Sequence, residues 1–332
     1  MLTRLFTWIS FFFAFTVVGA MTVLAQTTIL NVSYDVAREL YKDINPAFAE
    51  EWKAKTGQTV EIKQSHGGST RQAISVAEGL EAAVVTMNQA PDIDFLAEKG
   101  LVAKDWRGKF PNGAAPYTSV SVFLVRKGNL KGIKDWDDLA KPGIQVVIPN
   151  PKLTGNGRYT YLAAWGYAKQ ALGEGKERDF VARLLANVPV FDGGGRGATT
   201  TFTQRNIGDC LITFENEARL LAAEIGADKF DIVYPSISVE APAPIAVVEK
   251  VADKRGTREV AQGYLSFLYS AKAQEIIVKH NLRPRDPALF AANKAKFPDI
   301  KTFDVEALLG PWREVRKIHF DDGGVYDQIV VK

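Results

Sequence analysis

Three glycine-rich turns, each between a strand-like run and a helix-like segment, constrain the fold of this 332-residue chain more than any other feature. The longest, residues 150–158 (NPKLTGNGR), follows the apolar run 144–148 and precedes a helical pattern over 159–172. In that order, free backbone N–H groups and the partial positive charge of the helix start face the space over the turn. The turn therefore predicts an anion site, although many such turns serve only to connect a strand and a helix.

Two further turns have the same arrangement. Residues 64–70 (QSHGGST) and 192–199 (DGGGRGAT) each follow a strand-like run and precede a helical pattern. Ser69 is well placed as an N-cap or as an anion donor, and Gly68 lets the backbone approach a ligand closely. Three such turns that converge on one small anion would form its binding site, whereas three unrelated loops would have no common function.

Strand-like and helical patterns alternate along the rest of the chain. This alternation predicts an α/β fold with mainly parallel sheets, whose ligands bind at the carboxyl ends of the strands. Two extended segments marked by prolines, 115–125 and 235–244, are predicted to cross between two lobes. The main strand patterns cover 29–32, 60–62, 119–126, 144–148, 210–214, 232–234 and 245–248, and the main helical patterns cover 37–55, 71–80, 159–172, 180–185 and 215–225.

The N-terminus has the pattern of a cleavable signal peptide over residues 1–25. Arg4 precedes an apolar run, and small residues precede Gln26, the predicted mature N-terminus. An uncleaved membrane anchor stays open as an alternative, because the run approaches the ~20 residues that span a bilayer.

The single cysteine, Cys210, excludes an internal disulfide and lies far from the leader, which argues against a lipoprotein. A formal net charge of +3 gives no support to nucleic-acid binding.

The residues that catalysis usually needs are scarce. There are three histidines, no G-x-S-x-G nucleophile elbow, no clustered metal ligands and no phosphate-binding P-loop motif. His66, the histidine beside the second turn, is interpreted as a supporting residue. A secreted hydrolase that uses Ser69 and His66 is kept as an alternative, and the missing elbow counts against it. The sequence thus predicts a protein that is not an enzyme and needs no metal or cofactor.

Motifs spread over the mature chain resemble the periplasmic sulfate- and thiosulfate-binding proteins of ABC transporters. The resemblance implies a type II two-lobed binding protein, a monomer whose cleft closes over an anion and delivers it to an inner-membrane permease. It implies a first lobe over 26–114, a second lobe over 115–236, and a return to the first lobe over 237–332, with C-terminal helices that can cross to the second. The matching segments are 30–35, 64–69, 115–119, 122–127, 150–152, 155–165, 215–217 and 283–286.

Position by position, the resemblance implies that neutral groups bind the anion. The backbone N–H groups of the two lobes are the main donors, and the hydroxyl of Ser69 is another. Arg196 would brace these peptides without touching the anion. The implied ligand-binding residues are Asp35, Gly68 and Ser69 from the first lobe and Thr154, Gly155, Asn156 and Gly195 from the second.

Phe214 is the main departure from the family pattern, which has a tryptophan whose indole N–H donates to the ligand. Phenylalanine has no donor. The resemblance therefore leaves the preference between sulfate and thiosulfate open, and another oxyanion such as molybdate, tungstate or a sulfonate stays an alternative.

Overall fold

The computed structural model describes residues 26–226 and 228–330, so the predicted signal peptide over 1–25 lies outside the described residues. Two sheets, each flanked by helices, form two lobes, which confirms the predicted α/β two-lobed fold. The strands are β1 (Thr27–Tyr34), β2 (Val60–Gly67), β3 (Val84–Thr86), β4 (Tyr117–Arg126), β5 (Val146–Pro149), β6 (Phe191–Asp192), β7 (Cys210–Phe214), β8 (Phe230–Val233), β9 (Ile237–Pro242), β10 (Ile245–Val247), β11 (Arg283–Pro284) and β12 (Lys301–Phe303).

The helices are short to medium in length, and within residues 26–226 and 228–330 none combines the length and apolarity that crossing a membrane requires. They are α1 (Arg38–Thr56), α2 (Ser69–Ala77), α3 (Ala90–Glu98), α4 (Pro111–Ala114), α5 (Trp136–Leu139), α6 (Gly155–Tyr167), α7 (Glu177–Ala186), α8 (Gly195–Thr203), α9 (Glu215–Ile225), α10 (Glu249–Lys254), α11 (Arg258–Phe267), α12 (Ala271–Lys279), α13 (Pro287–Ala292), α14 (Val305–Leu309), α15 (Trp312–His319) and α16 (Val325–Val330). Two 3₁₀ turns (Asp35–Ala37 and Trp106–Gly108) and a π turn (Ala168–Leu172) complete them.

The smaller sheet has the strand order β10-β3-β1-β2. Strand β1 is parallel to both β2 and β3, and only β10 runs antiparallel in this sheet. The carboxyl ends of the three parallel strands therefore lie at one edge. That edge carries Asp35 after β1, Gly68 and Ser69 after β2, and Asn88 shortly after β3.

The larger sheet has the order β12-β9-β4-β7-β5-β6, with β8 and β11 also paired to β4. The parallel strands β5, β6 and β7 end at one edge, which carries the turns that follow β5 and β6 and, at the last position of β7, Phe214. The long strand β4 is the exception, because it runs antiparallel to β7, β8, β9 and β11.

The two predicted crossover segments lie side by side. Strand β4 pairs with β9 in the register Thr118↔Pro242. The chain then returns to the smaller sheet within two residues, because β10 begins at Ile245. Residues 237–242 thus pair in the larger sheet, although the sequence places the return to the first lobe at residue 237. The division into lobes at particular residues stays a prediction.

The C-terminal helices contact the lobe of the larger sheet. His319, at the end of α15, lies with its Nδ1 3.0 Å from the hydroxyl of Tyr161 on α6. Lys152 donates to Asp327 on α16 at 2.7 Å. The first contact joins α15 to α6, and the second joins the turn 150–158 to α16.

Candidate functional site

The three glycine turns meet where the two lobes face each other. A methyl group added to Gly68 of the first lobe would lie 3.0 Å from the carbonyl oxygen of Leu153 and 3.3 Å from that of Gly193. Both carbonyls belong to turns of the second lobe. A methyl group would fit here only if these carbonyl groups shifted by a few tenths of an ångström, so the backbones of the two lobes lie in close contact and the cleft between the lobes is closed.

Asp35 also joins the lobes, through the turn 192–199. Its Oδ2 accepts the backbone N–H of Arg196 at 3.1 Å, and its Oδ1 accepts that of Val36 at 3.0 Å. Burial raises the pKa of the Asp35 carboxyl, and these two N–H groups oppose the shift. The proposed donor at this position, the backbone N–H of Asp35, lies at the carboxyl end of β1 beside this contact.

Each turn contains the start of a helix rather than preceding it. Helix α2 begins at Ser69 with Gly68 as its N-cap, α6 begins at Gly155 with Thr154 as its N-cap, and α8 begins at Gly195. The predicted helix start near residue 159 was therefore late. The Thr154 side chain accepts the N–H of Gly157 at 3.0 Å, which fixes the first turn of α6.

Helix geometry leaves the first backbone N–H groups of α2, α6 and α8 without intrahelical partners. In α6 the N–H of Gly157 goes to the N-cap, so the N–H groups of Gly155 and Asn156 are the ones available to a ligand. In α8 the N–H of Arg196 goes to Asp35, so that of Gly195 is available. The sequence-based assignment of these three N–H groups is compatible with the observed helix starts and stays a prediction.

The two hydroxyl groups of the predicted site donate to the protein. Ser69 Oγ donates to Asp92 Oδ2 at 2.6 Å, and Thr154 Oγ1 donates to the carbonyl oxygen of Asn150 at 2.9 Å. A hydroxyl has one proton to donate. In this state neither hydroxyl is a donor to a ligand, so the role implied for the Ser69 hydroxyl would require its bond to Asp92 to break.

Asp92, on α3, is a site residue that the sequence analysis missed. It is buried and accepts hydrogen bonds from Ser69, Thr70 and Gln89. Burial raises the pKa of its carboxyl, and the positive charge of Arg158 opposes the shift. Ser69 is thereby locked at the start of α2.

Arg158, on α6, crosses between the lobes. It is buried, and its Nη1 donates to Oε1 of Gln89 in the first lobe at 3.1 Å. Burial lowers the pKa of this guanidinium, and Asp92 opposes the shift. The guanidinium also lies over the ring of Phe320, 4.9 Å from its centroid, in a cation–π contact.

Arg196 lies beside a buried acid. Its Nε is 3.6 Å from Oε1 of Glu217, a side chain with no solvent exposure. Burial raises the pKa of Glu217 to about 7, although Arg196 and the hydroxyl of Thr199 oppose the shift. The guanidinium of Arg196 is therefore within ion-pair distance of Glu217, but its Nη2 is buried and has no hydrogen-bond partner within residues 26–226 and 228–330. The bracing of the turn peptides by Arg196 stays a prediction.

His66 is placed as a structural residue. Its Nδ1 lies 3.2 Å from the carbonyl oxygen of Tyr34, and burial lowers the pKa of its imidazole. Ser69 donates to Asp92 and not to His66. The pair that the alternative hydrolase needs is therefore not assembled.

Phe214 ends β7 and is buried, with its ring 6.1 Å from that of Tyr159. It lies at the same sheet edge as the turns of the second lobe.

The site also contains two asparagines, Asn88 and Asn156, whose side-chain amide oxygens are buried. Neither oxygen has a hydrogen-bond partner within residues 26–226 and 228–330. Among those same residues, no group of three or more potential metal-ligating side chains is present.

The chain is similar to bacterial proteins that bind solutes outside the cell. Residues 31–283 match the family model described as bacterial extracellular solute-binding protein. The chain is 55% identical over 307 residues to a thiosulfate-binding protein of Pseudomonas aeruginosa, covering 92% of each chain. It is 50% identical over 321 residues to a sulfate-binding protein of Escherichia coli, covering 94% of this chain and 98% of the relative.

A solved structure agrees with these matches. The sulfate-binding protein of Mycobacterium tuberculosis superposes with a TM-score of 0.81 at 33% identity, covering 89% of this chain and 100% of that one.

Proposed function

Because this chain belongs to the bacterial extracellular solute-binding proteins, a family of carriers and not of enzymes, we propose that it binds sulfate or thiosulfate between its lobes. The observation that carries the proposal is the meeting of three helix starts, at Ser69, Gly155 and Gly195, across one closed cleft. The close relatives that are named for these two anions give the substrate class.

The chemistry of such a site suits a fully ionised oxyanion. A dianion that enters a closed cleft loses its hydration shell and needs several hydrogen-bond donors in exchange. Neutral N–H groups at helix starts supply them, whereas a buried cation would add its own desolvation cost. Arg158 and Arg196 support the turns through contacts with Gln89 and Glu217. The direct donors in this proposal are the N–H groups of Asp35, Ser69, Gly155, Asn156 and Gly195.

Titration calorimetry of the purified chain from Gln26 onward tests the proposal. Sulfate, thiosulfate, molybdate and phosphate should be compared before and after exhaustive chelation. We expect sulfate or thiosulfate to bind most tightly, with the same affinity in chelator, because the proposed donors are protein groups. Tighter binding of molybdate would favour the alternative oxyanion, and loss of binding in chelator would contradict the metal-free site.

Phe214→Trp tests the preference between the two anions. If an indole N–H at this position donates to the ligand, sulfate affinity should rise about tenfold to a hundredfold, the worth of one hydrogen bond to a charged group. Thiosulfate should gain less, because its terminal sulfur is larger and a poorer acceptor than oxygen. Calorimetry with both anions measures the difference. Equal gains, or none, would mean that the ring at this position packs in the core and does not face the ligand.

In the cell, the proposed role is delivery of the captured anion to an ABC permease by a monomer exported to the periplasm. The family description supports an extracytoplasmic carrier. Mass spectrometry of the exported protein tests the predicted cleavage before Gln26, and sedimentation tests the monomer.

A further inference from the structure

We infer that the side chain of Asn88 contacts the bound anion directly and helps to select it, an inference that rests on the proposed function. Asn88 belongs to the loop between β3 and α3. Because β3 is parallel to β1, this loop leaves the smaller sheet at the same edge as Asp35 and Ser69. The topology that brings those two residues to the cleft therefore brings Asn88 there as well.

The carboxamide of Asn88 lies over the start of α6 in the opposite lobe. The side chain is buried, with 6% of the residue exposed. A methyl group added to Gly155 would lie 1.9 Å from Asn88 Oδ1, so the amide fills the space beside the first residue of that helix. The N–H of Gly155 is one of the proposed anion donors, and the polar end of Asn88 is next to it.

This polar end has no protein partner. Asn88 Oδ1 is inaccessible to solvent and makes no hydrogen bond with any group of residues 26–226 and 228–330. A buried polar atom without a partner destabilises a protein, so such an atom in a cleft indicates a missing ligand or water. An anion bound at the helix starts would lie beside it.

The hydroxyl and aromatic side chains of the predicted site have no donor free for an anion. The hydroxyl protons of Ser69 and Thr154 go to protein acceptors, and Phe214 has no polar group. The carboxamide of Asn156 donates one of its two N–H groups to Thr213 Oγ1, in its own lobe, at 3.2 Å. Asn88 is thus well placed to supply the side-chain donor that Phe214 lacks.

A carboxamide can present either end to a ligand. Its oxygen and its NH₂ group have nearly the same shape, and their assignment depends on the hydrogen-bond network. An oxyanion accepts hydrogen bonds, so the NH₂ end of Asn88 would face it in the complex. The amide would then act as one more neutral donor, without the desolvation cost of a buried cation.

Two variants and a control test the inference by calorimetry with sulfate and inorganic phosphate. Asn88→Ala removes the donor and should lower sulfate affinity about tenfold to a hundredfold. Asn88→Asp has nearly the same shape, but its carboxylate accepts and does not donate. It should repel sulfate and suit phosphate, which carries a proton at neutral pH, so the phosphate-to-sulfate affinity ratio should rise about tenfold or more.

Asn187→Ala is the matched control, because the Asn187 side chain donates to the carbonyl oxygens of Leu139 and Lys141. Asn187 lies beside Val146, the first residue of β5, whereas the site turns follow the carboxyl ends of β5 and β6. It should leave both affinities unchanged. Parental sulfate affinity in Asn88→Ala, or an unchanged affinity ratio in Asn88→Asp, would overturn the inference and leave the proposed function standing. A parental protein that binds none of the tested oxyanions would instead overturn the proposed function, and the inference with it.

Discussion

Gly157→Ala is expected to abolish tight anion binding and to destabilise the fold by about 3 kcal/mol or more. The new methyl group would lie 2.2 Å from the carbonyl oxygen of Pro149 and within 2.9 Å of the carbonyl group of Asn150. These are backbone atoms at the end of β5, so no side-chain rotation relieves the clash. The first turn of α6 must therefore move away from the strand.

The same movement displaces the proposed donors. The N–H of Gly157 would lose its bond to the Thr154 hydroxyl, and the N–H groups of Gly155 and Asn156 would turn with the helix start. Misdirecting two hydrogen bonds to a charged ligand should weaken binding about a hundredfold or more. Urea unfolding and sulfate titration measure the two effects separately.

Gly193→Ala is the matched control in another of the glycine turns. Its added methyl group would lie 3.5 Å from Nη2 of Arg71, the far end of a flexible side chain, and its φ is not positive. We expect a stability change within about 0.5 kcal/mol and unchanged anion affinity. Parental behaviour in Gly157→Ala, or equal losses in the two variants, would show that the packing of α6 on β5 does not position the site.

Long elements with strong patterns were predictable from the sequence. The strand Cys210–Phe214 and the helix Glu215–Ile225 begin and end where the sequence analysis placed them. An apolar run followed at once by acidic residues marks this boundary, because acidic side chains favour the first turn of a helix. The glycine turns were also recognised, although their helices begin earlier than predicted.

The strand β3 was missed, and with it part of the site. It has only three residues, Val84–Thr86, too few to show a period of two. A sequence signal does exist, because a short apolar run precedes Asn88 and Pro91 marks the first turn of α3. This signal predicts a third parallel strand beside β1. It therefore also predicts that Asn88 and Asp92, which follow that strand, lie near the cleft.

The direction of the hydroxyl protons could not be predicted at all. Ser69 donates to Asp92, a residue 23 positions away that only the tertiary fold brings within 2.6 Å. Local sequence patterns identify which residues can donate, and packing decides where they do. The family resemblance indicated the helix starts because the backbone there is fixed by the fold, whereas side-chain bonds depend on each chain's own neighbours.

Arg283→Met is expected to cost about 3–5 kcal/mol of folding stability, because it removes the hydrogen-bonded cation of a buried carboxylate and leaves only Arg219, 3.8 Å away, as a charged neighbour. Arg283 lies on β11, and its Nε donates to Oε2 of Glu215 at 2.7 Å. Glu215 has no exposed surface, and Arg283 is itself buried. Tyr234 also donates to Glu215 at 2.8 Å, but a neutral hydroxyl does not compensate a buried carboxylate.

The adjacent ion pair on the same segment provides the comparison. Arg285 donates to Glu240 at 2.7 Å, and both side chains are partly exposed. Removing that pair with Arg285→Met should cost at most about 1 kcal/mol. The double variant Arg283→Met with Glu215→Leu should recover part of the loss, because it removes the stranded charge as well. Urea unfolding at pH 7 measures all three variants.

Glu215 connects this ion pair to the proposed anion site. It is the first residue of α9 and directly follows Phe214, so the ion pair with Arg283 fixes the point where β7 ends at the cleft. Arg283→Met should therefore also weaken sulfate binding, while Arg285→Met should not. A loss of stability below about 1 kcal/mol in Arg283→Met would mean that water or Arg219, with its Nε 3.8 Å from Glu215, already neutralises the acid. A large loss without any change in affinity would mean that the end of β7 is held by its pairing with β4 alone.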